Sequence, residues 1–357
     1  MPPPVINLVV VFGGRSAEHD VSRTTAAHVL RAVSPERYSV TAIGIDTHGE
    51  WFQISPDSLD QARSGAVEQV DVVGIPIGVG DLMPAGHVGD GPVVALPLLH
   101  GPLGEDGTIQ GLFEMANVAY VGSGVLGSAL AMDKAMAKLV CAAVGIPQAR
   151  HVVLHAHDHE ANEVEDLCEL LGLPAFVKPA NMGSSIGVSR VGSVAELRAA
   201  IDVAFTYDRI VVVEEAIAGR EIEVAVLGNR APVAFEPGEV VPADTFYSYA
   251  DKYLDGASTV LIPAELDHDV AQQAKDMAIA AFLTLRCSGL ARCDFFYDAG
   301  GRGLMLNEIN TMPGFTPISM YPKMVLAGGI GYPELIDRLV DLALEEHESK
   351  RRRIDHP

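Results

Sequence analysis

A short apolar run near the start of the chain constrains the fold more than any other feature of the sequence. Residues 5–12 are almost all β-branched or aliphatic, and the run ends at Gly13 and Gly14. Such a run without polar alternation is typical of a strand buried on both faces of a parallel sheet, and the glycines favour a tight turn into a helix. We therefore expect a doubly wound α/β domain with a parallel sheet over roughly the first 130 residues.

The rest of the chain carries alternating helix and strand patterns. After the first strand we expect a helix capped by Asp20 or Ser22 and then two strands, at 38–45 and 93–99. The elements expected next are a helix at 132–144, a strand at 151–154, a helix at 163–171, a strand at 175–179, a helix at 194–205 and a strand at 210–214. Beyond Gly219, strands alternate with longer loops until an amphipathic helix at 332–346.

Length, charge and cysteine content limit the class of protein. A chain of 357 residues is too long for one hydrophobic core, so two or three domains are expected. The formal net charge of −22 argues against nucleic acid or an anionic membrane as partner, because both need a basic surface. Four cysteines without a Cys-x-x-Cys pair indicate thiols in a reducing compartment. The run at 5–12 is too short for a signal peptide or a membrane span, so we expect a soluble cytoplasmic protein.

Two pairs of polar residues near the C-terminal end have strand spacing. Arg292 and Asp294 are two apart, as are Glu308 and Asn310, so on neighbouring strands each pair points to one face. Carboxylate and amide oxygens of this kind suit Mg²⁺, which proteins hold with one or two carboxylates plus the phosphates of a nucleotide. A single pair would favour an ordinary exposed strand face. Two pairs, followed by a Pro-Gly turn at 313–314, favour a metal–nucleotide site.

A glycine- and serine-rich turn follows Lys178, which is expected near the end of a strand. Backbone N–H groups of the turn at 181–187 can form an anion-binding nest, and the lysine supplies a positive charge for a phosphate. The spacing is not that of a P-loop, which disfavours a Walker-type NTPase. An ordinary flexible surface loop is the alternative, and this segment alone does not decide. The turn at 13–15 lacks the Gly-x-Gly-x-x-Gly fingerprint, so a dinucleotide site finds little support there.

Three further segments carry polar side chains where ligands commonly bind. Glu214 could accept a hydrogen bond from an adenine amino group and Glu221 could bind ribose hydroxyls, although a solvated acidic turn is the commoner explanation. The stretch 246–253 mixes aromatic and polar residues without strand alternation, which predicts a loop that folds over a site. The turn-rich loop at 100–107 follows a strand, a place where binding residues tend to lie.

In this order, the segments resemble those of D-alanine–D-alanine ligases of the ATP-grasp superfamily. The resemblance runs from about Val9 to about Leu344 and is also carried by Phe-Gly-Gly-Arg-Ser-Ala-Glu-His-Asp-Val-Ser at 12–22, His-Gly-Pro-Leu-Gly-Glu-Asp-Gly-Thr-Ile-Gln-Gly at 100–111 and Met-Asp-Lys at 132–134. It implies a three-domain ATP-grasp fold that is α/β at its N-terminus and α+β in its C-terminal part. The implied divisions are an N-terminal domain at 1–131, a central ATP-grasp subdomain at 132–216, a C-terminal subdomain at 217–346 with a mobile loop at 242–258, and a polar tail at 347–357.

The resemblance also implies roles for individual residues. The residues implied to bind ATP are Lys134, Lys178, Ser185, Glu214, Glu215, Ile217, Glu221 and Asn307. Those implied to ligate two Mg²⁺ ions, for which Mn²⁺ can substitute, are Asp294, Glu308 and Asn310. Those implied to act in catalysis are Glu18, Ser184, Tyr253, Arg292 and Gly314. Those implied to bind the amino-acid substrates are His100, Lys252, Ser319 and Met320.

Within these sets, the family assigns particular tasks. Glu18 corresponds to the residue that binds the ammonium group of the first D-alanine, and Ser184 and Tyr253 to a hydrogen-bonded link that closes the mobile loop. Arg292 and the Gly314 N–H correspond to an oxyanion site, and Ser319 and Lys252 to partners of the second carboxylate. Glu215-Ala216 departs from the frequent lysine and bulky aromatic, so altered nucleotide affinity is expected there. No residue stands out as the general base for the second amine.

The implied reaction consumes ATP and joins two D-alanines through a D-alanyl phosphate, giving D-alanyl-D-alanine, ADP and phosphate for peptidoglycan precursors. The family also suggests a homodimer formed through the N-terminal domain. The rival within the same fold is a ligase that joins D-alanine to D-lactate or D-serine. Tyr253 favours the dipeptide, and we predict that Tyr253→Phe would let D-lactate compete. A regulatory protein without turnover is the alternative from another class, and the intact Arg292, Asp294, Glu308 and Asn310 set disfavours it.

Overall fold

The computed structural model describes residues 4–81, 91–157, 163–241 and 259–350. These residues form three β-sheets with helices packed against them. In the described part of the chain, no helix is both long enough and apolar enough to span a lipid bilayer.

The first sheet is built around the apolar run at the start of the chain. Its strands are β1 (Ile6–Gly13), β2 (Tyr38–Ile45), β3 (Trp51–Ile54), β4 (Gly74–Ile77), β5 (Val93–Pro97) and β6 (Ala119–Tyr120), in the order β4-β3-β2-β1-β5-β6. The four strands β2, β1, β5 and β6 are parallel, which confirms the expected sheet, whereas β3 and β4 extend it in antiparallel pairing. The turn after β1 requires glycine, because Gly13 has φ +89° and a Cβ there would lie 2.2 Å from the carbonyl oxygen of Ile45.

The helices of this first part are α1 (His19–Ala32), α2 (Pro56–Ser64), α3 (Thr108–Met115) and α4 (Val125–Met132), with a short 3₁₀ turn at Val79–Asp81. The expected cap of α1 by Asp20 or Ser22 is wrong. Glu18 occupies the N-cap position, and no side chain caps the helix. The Ser22 hydroxyl is buried, accepts a hydrogen bond from the Gly13 N–H (2.7 Å) and donates one to the Leu98 carbonyl (2.6 Å). It therefore ties α1 to the glycine turn and to the segment after β5.

The second sheet is antiparallel and has the order β7-β10-β8-β9. Its strands are β7 (His151–His155), β8 (Ala175–Pro179), β9 (Ser189–Val191) and β10 (Ile210–Glu215), and the accompanying helices are α5 (Lys134–Ala143), α6 (Glu163–Leu171) and α7 (Val194–Phe205). The helix expected at 132–144 is confirmed as α5, which begins after Asp133, where the chain is extended (ψ 100°) and the separate helix α4 ends. The Asp133 carboxylate caps α5 by accepting from the Met136 N–H (3.0 Å).

The third sheet has the order β14-β13-β11-β15-β16, with β12 paired to β11. Its strands are β11 (Arg220–Gly228), β12 (Val233–Ala234), β13 (Gly238–Val241), β14 (Thr259–Leu261), β15 (Gly289–Asp298) and β16 (Gly303–Asn310), and its helices are α8 (His268–Thr284), α9 (Met320–Ala327) and α10 (Tyr332–Ser349). The expectation of only strands and loops before α10 is wrong because it omits α8 and α9. The buried residues of α8 are Ala274, Ala278, Ala281 and Phe282, so three of the four are small and the pattern of an amphipathic helix is weak in the sequence.

The last helix, α10, packs against the first sheet. Leu8 and Val10 of β1 and Leu335 and Leu339 of α10 belong to one continuous buried core. Around that core, the Tyr38 hydroxyl donates a 2.5 Å hydrogen bond to the α10 carboxylate of Asp337. The three-domain division given above remains a prediction, and in the described residues the first sheet shares this core with the C-terminal helices.

Candidate active site

The polar pairs expected on neighbouring strands meet on β15 and β16. Arg292 pairs with Asn310 and Asp294 pairs with Glu308, so all four side chains leave the same face of the third sheet. The next pair is Phe295 with Leu306, which leaves Asn307 as an extra residue in a β-bulge. Bulges of this kind are common beside functional sites because they redirect a side chain.

Arg292 is surrounded by carboxylates on this face. Its Nε and Nη2 atoms donate to the two oxygens of Asp294, each at 2.7 Å, and Nε lies 3.0 Å from Oε2 of Glu223. Burial would lower the pKa of Arg292, but the charges of Asp294 and Glu223 outweigh it and raise that pKa well above its ordinary value. The guanidinium is therefore a fixed positive charge with a fixed orientation.

The donor set on this face fits a hard divalent cation. The amide Nδ2 of Asn310 donates to Asp294 (2.9 Å), so Asp294, Glu308 and Asn310 form one cluster of oxygen-bearing side chains. The described residues contain no group of three or more His, Cys, Asp or Glu side chains arranged for a metal. Two carboxylates with an amide oxygen are nevertheless the set expected for Mg²⁺ that completes its shell with water and phosphate.

The second sheet contributes a buried charge cluster centred on Glu214. Oε2 of this carboxylate accepts from Nζ of Lys178 at 2.8 Å, and Oε1 lies 3.0 Å from Nζ of Lys138. Lys178 also donates to Oδ1 of Asn307, the bulge residue, at 3.2 Å. Burial alone would raise the pKa of Glu214, but the two lysines hold it at about 2. The cluster connects the second sheet to the third and keeps Glu214 ionised.

Lys138 was not among the residues expected in the site. Its position one helical turn after Lys134 on α5 is the only sequence signal that could have indicated it. A buried lysine is uncommon unless it is paired, and the pairing with Glu214 appears only in the folded structure.

The carboxylate of Glu215, the next residue, is hydrogen-bonded to two arginines. Its carboxylate accepts from Nε of Arg150 (2.8 Å), from the Arg150 backbone N–H (2.6 Å) and from Nη1 of Arg302 (2.7 Å). Burial would raise the pKa of Glu215, but these donors lower it. The Glu215 side chain thus ties the residue before β7 and the turn before β16 to the end of β10, and the predicted nucleotide contact would fall to the Glu215 backbone.

Lys134 joins the serine-rich turn to the metal-ligand candidates. Its Nζ donates to the Met182 carbonyl at 2.6 Å and lies 3.9 Å from Oε2 of Glu308. The turn itself is held in place, because Asp208 accepts from both the backbone and the side-chain amide of Asn181 (2.8 and 3.0 Å). These two hydrogen bonds anchor the first residue of the turn beside the start of β10.

The two serines expected in the site lie at the tip of this turn. Ser184 and Ser185 have φ values of +50° and +59°, a left-handed conformation that few non-glycine residues adopt. Glu18 lies beside them: a Cβ on Gly183 would be 3.6 Å from Oε2 of Glu18, and one on Gly101 would be 3.8 Å from it. Glu18, the turn at 181–187 and the loop at 100–107 therefore meet at one point.

His100 begins that loop and is buried. Its Nδ1 lies 3.2 Å from the Met312 carbonyl, which makes Nδ1 the protonated nitrogen and Nε2 an acceptor. Nε2 is buried without a hydrogen-bond partner among the residues that the structure describes. It is therefore available to accept a hydrogen bond from a bound molecule.

Glu105 is a second residue that the sequence did not single out. It accepts a 2.8 Å hydrogen bond from the Gly101 N–H, while burial and the charge of Glu18 raise its pKa to about 8. At neutral pH this carboxyl group is mostly protonated. The proton on Glu105 reduces the electrostatic repulsion between the Glu105 and Glu18 side chains.

The turn after β16 brings Gly314 against Ser319. A Cβ on Gly314 would lie 3.1 Å from Oγ of Ser319, and that hydroxyl is 2.8 Å from Oγ1 of Thr316. Ser319 is the N-cap residue of α9, but its side chain does not cap the helix. The Met320 side chain is buried in the core, so only its backbone remains to contact a substrate.

The remaining candidates fall into two groups. Ile217 and Glu221 are half-buried at the start of the third sheet, and Glu221 lies two residues before Glu223 on the face that carries Asp294. Lys252 and Tyr253, with the predicted mobile loop at 242–258, lie outside the described residues.

Two family models match this chain. The model for the D-ala D-ala ligase N-terminus matches residues 7–123, and the model for the D-ala D-ala ligase C-terminus matches residues 140–341. Together they cover the strands of all three sheets except for Ile6, the first residue of β1.

Individual relatives agree with these models. The D-alanine–D-alanine ligase of Bacillus pumilus is 46% identical over 353 residues, which are 97% of this chain and 98% of the relative. The solved D-alanine–D-alanine ligase structure from Coxiella burnetii superposes with a TM-score of 0.83 at 34% identity, covering 97% of this chain and 96% of that one. The Bacillus anthracis enzyme, solved in complex with ATP, gives a TM-score of 0.73 at 25% identity, covering 97% and 99%. The chain therefore belongs to the D-alanine–D-alanine ligase family, whose members have the ATP-grasp fold.

Proposed function

We propose that this chain is an ATP-dependent ligase that joins two D-alanine molecules in the cleft between the second and third sheets. The observation that carries the proposal is the position of Lys134, whose Nζ contacts the serine-rich turn and lies 3.9 Å from the Glu308 carboxylate. A phosphate-binding cation and a metal-binding anion are both required for phosphoryl transfer. Here they meet at one point.

In the first step, a carboxylate oxygen of one D-alanine attacks the γ-phosphorus of ATP. The bond to the departing ADP oxygen breaks, and D-alanyl phosphate forms. Lys134 and Lys178 supply positive charge for the phosphates, and Glu18 binds the ammonium group of the substrate. Their role is to orient two anions toward each other, because phosphoryl transfer depends mainly on positioning and charge stabilisation.

The nucleoside end of ATP is assigned to the end of β10 and the start of β11. Glu214 accepts from the adenine amino group, the backbone at Glu215 and Ile217 lines the base, and Glu221 binds the ribose. Ser185 and Asn307 complete the phosphate end, since Asn307 shares a hydrogen bond with Lys178.

Asp294, Glu308 and Asn310 are the residues that would hold Mg²⁺, or Mn²⁺ in its place. The metal, when bound, neutralises negative charge on the phosphoryl group that is transferred. The chain's own contribution is to keep these oxygens on one face, with Arg292 fixing the orientation of Asp294 through two hydrogen bonds.

In the second step, the amino nitrogen of the other D-alanine attacks the carbonyl carbon of D-alanyl phosphate. Phosphate leaves and the peptide bond forms. Arg292 and the Gly314 N–H stabilise the negative charge that develops on the carbonyl oxygen. Ser319 and Lys252 bind the carboxylate of the second D-alanine. His100 and the backbone of Met320 line the substrate pocket. A hydrogen-bonded link between Ser184 and Tyr253 closes the loop at 242–258, so that water does not hydrolyse D-alanyl phosphate.

The decisive experiment follows phosphate release from ATP and Mg²⁺ with D-alanine, with L-alanine, and with D-alanine plus D-lactate or D-serine. The products are identified by mass. We expect release with D-alanine alone, matched one to one by the dipeptide. A depsipeptide or a D-alanyl-D-serine product would identify the rival ligase. Folded, ATP-binding protein without D-alanine-dependent release would contradict the proposal.

We also propose a cytoplasmic homodimer. The reaction consumes ATP, which is a cytoplasmic substrate. The edge strand β4 and its preceding residue expose large apolar side chains, since Val73 and Ile75 are each 69% exposed, and such an edge favours association with a second chain. Analytical ultracentrifugation at micromolar concentration tests this, and a strictly monomeric species would contradict it.

A further inference from the structure

The Lys138 side chain is the most buried positive charge at the candidate site. It is 3% exposed, and the Glu214 side chain that it faces is 2% exposed, whereas Lys178 on the other side of that carboxylate is 12% exposed. Each lysine therefore pairs with a different oxygen of the Glu214 carboxylate, Lys138 with Oε1 and Lys178 with Oε2.

The two lysines differ in what else they contact. Lys178 also reaches Asn307 on the third sheet, and it is assigned above to a phosphate. Among the described residues, the ion pair of the Lys138 ammonium group is the one with Glu214. Its backbone carbonyl accepts from Nε2 of Gln148 at 2.9 Å, which fixes the middle of α5 beside the segment between α5 and β7. Lys138 is therefore held as a counter-ion.

We propose that Lys138 is a positioning residue that fixes Glu214 as an ionised acceptor and so makes the nucleotide pocket select adenine. The inference rests on the proposed function of the cleft. An ionised carboxylate accepts a hydrogen bond from the 6-amino group of adenine and repels the 6-carbonyl oxygen of hypoxanthine. Without Lys138, Glu214 turns toward Lys178 or takes up a proton, and a protonated carboxyl group donates to a carbonyl.

A purely structural ion pair predicts something different. If Lys138 only fastened α5 to the second sheet, its removal would lower stability and reduce turnover of every nucleotide alike. The two cases differ in one quantity, the ratio of kcat/KM for ATP to kcat/KM for ITP, which a general loss of stability leaves unchanged.

The experiment measures that ratio from D-alanine-dependent phosphate release, with Mg²⁺ and the full chain. Lys138→Met is expected to reduce the ATP/ITP ratio about tenfold or more, since one hydrogen bond to a charged group is at stake. Lys138→Arg keeps the charge and is expected to retain most of the preference. Lys275→Met is the matched control, because Lys275 makes a 2.6 Å ion pair with Glu236 away from the cleft, and its ratio should equal that of the wild type.

A second variant tests the route through the carboxylate. Glu214→Gln alone should lower the ratio of kcat/KM for ATP to kcat/KM for ITP. The double variant with Lys138→Met should show no further decrease in that ratio. An unchanged ratio in folded Lys138→Met or in Glu214→Gln overturns the proposal, and if Lys138→Met does not fold, the glutamate variant still decides. Wild-type protein without D-alanine-dependent release would instead refute the proposed function, so the two failures are distinguishable.

Discussion

Arg292 donates two hydrogen bonds of 2.7 Å to Asp294, one to each carboxylate oxygen. The two residues are two positions apart on the same strand. Side chains two residues apart on a strand share a face but do not always touch. Here the contact leaves the guanidinium oriented toward the face that carries Glu308 and Asn310. Charge and direction are fixed together, which is what a stabiliser of a developing oxyanion requires.

Replacing Arg292 by lysine should keep the positive charge and lose this orientation. We expect Arg292→Lys to lower kcat by about 100-fold or more, the effect usual for removing one oxyanion donor, with a smaller change in the KM for ATP. Steady-state kinetics measures both. Arg338→Lys, in an exposed pair with Glu334 on α10, is the control and should leave kcat unchanged. Equal kcat values for Arg292→Lys and the wild type would remove Arg292 from the mechanism.

Glu308→Gln should raise the Mg²⁺ concentration needed for half-maximal activity. The substitution keeps the size of the side chain and removes one negative charge from the cluster of Asp294, Glu308 and Asn310, and ligand charge is the main determinant of affinity for hard cations. A titration of activity against free Mg²⁺, repeated with Mn²⁺, measures the shift. Superimposable titration curves for variant and wild type would show that Glu308 is not a metal ligand.

The pH dependence of stability should report the charge of Glu214. Its folded-state pKa of about 2 lies below the ordinary value of 4.5, so the ionised carboxylate stabilises the fold above pH 4.5 and this contribution is lost as the pH falls toward 2. We expect the wild type to exceed Glu214→Gln in free energy of unfolding at pH 6, and the difference to shrink between pH 4.5 and 3. Denaturant titrations measure it. A difference that is constant with pH would mean that Glu214 is not ionised in the fold.

The link between the first sheet and the last helix can be tested at Tyr38. Tyr38→Phe removes the hydroxyl that donates to Asp337 at 2.5 Å, and a hydrogen bond to a charged group contributes about 2 kcal/mol. The free energy of unfolding should fall by about that amount. Tyr207→Phe at a half-exposed tyrosine should change it much less. If both variants were equally stable, the bond would not hold α10 in place.

The positions of strands with a marked apolar run were predictable because such runs carry their own signal, whereas the short strands β3 and β4 were not predicted. The strand β8 and the helices α6 and α7 have the bounds that the sequence pattern predicts. The spacing of two residues predicted that Arg292 and Asp294 share a face, as do Glu308 and Asn310, and the pairing of β15 with β16 confirms that the two pairs lie together. The local sequence was enough to predict a feature wherever that feature depends on the residues of a single helix or strand.

Features that depend on distant parts of the chain were not predictable. Ser22 looked like a helix cap, but its hydroxyl bonds the carbonyl of Leu98, seventy-six residues away. Lys138 and Arg302 carry no motif of their own, and only the folded chain brings them to Glu214 and Glu215. The helix α8 was missed because its alanine-rich face resembles neither a core strand nor an amphipathic helix.

The core shared by β1 and α10 has a consequence for synthesis. The ribosome releases β1 and α1 well before α10, so the part of this core that α10 covers stays open until the second and third sheets have been synthesised. During that interval the strands are vulnerable to wrong pairing, since contacts between distant segments form slowly. The second sheet, whose described core residues lie between Val152 and Val213, can close while translation continues.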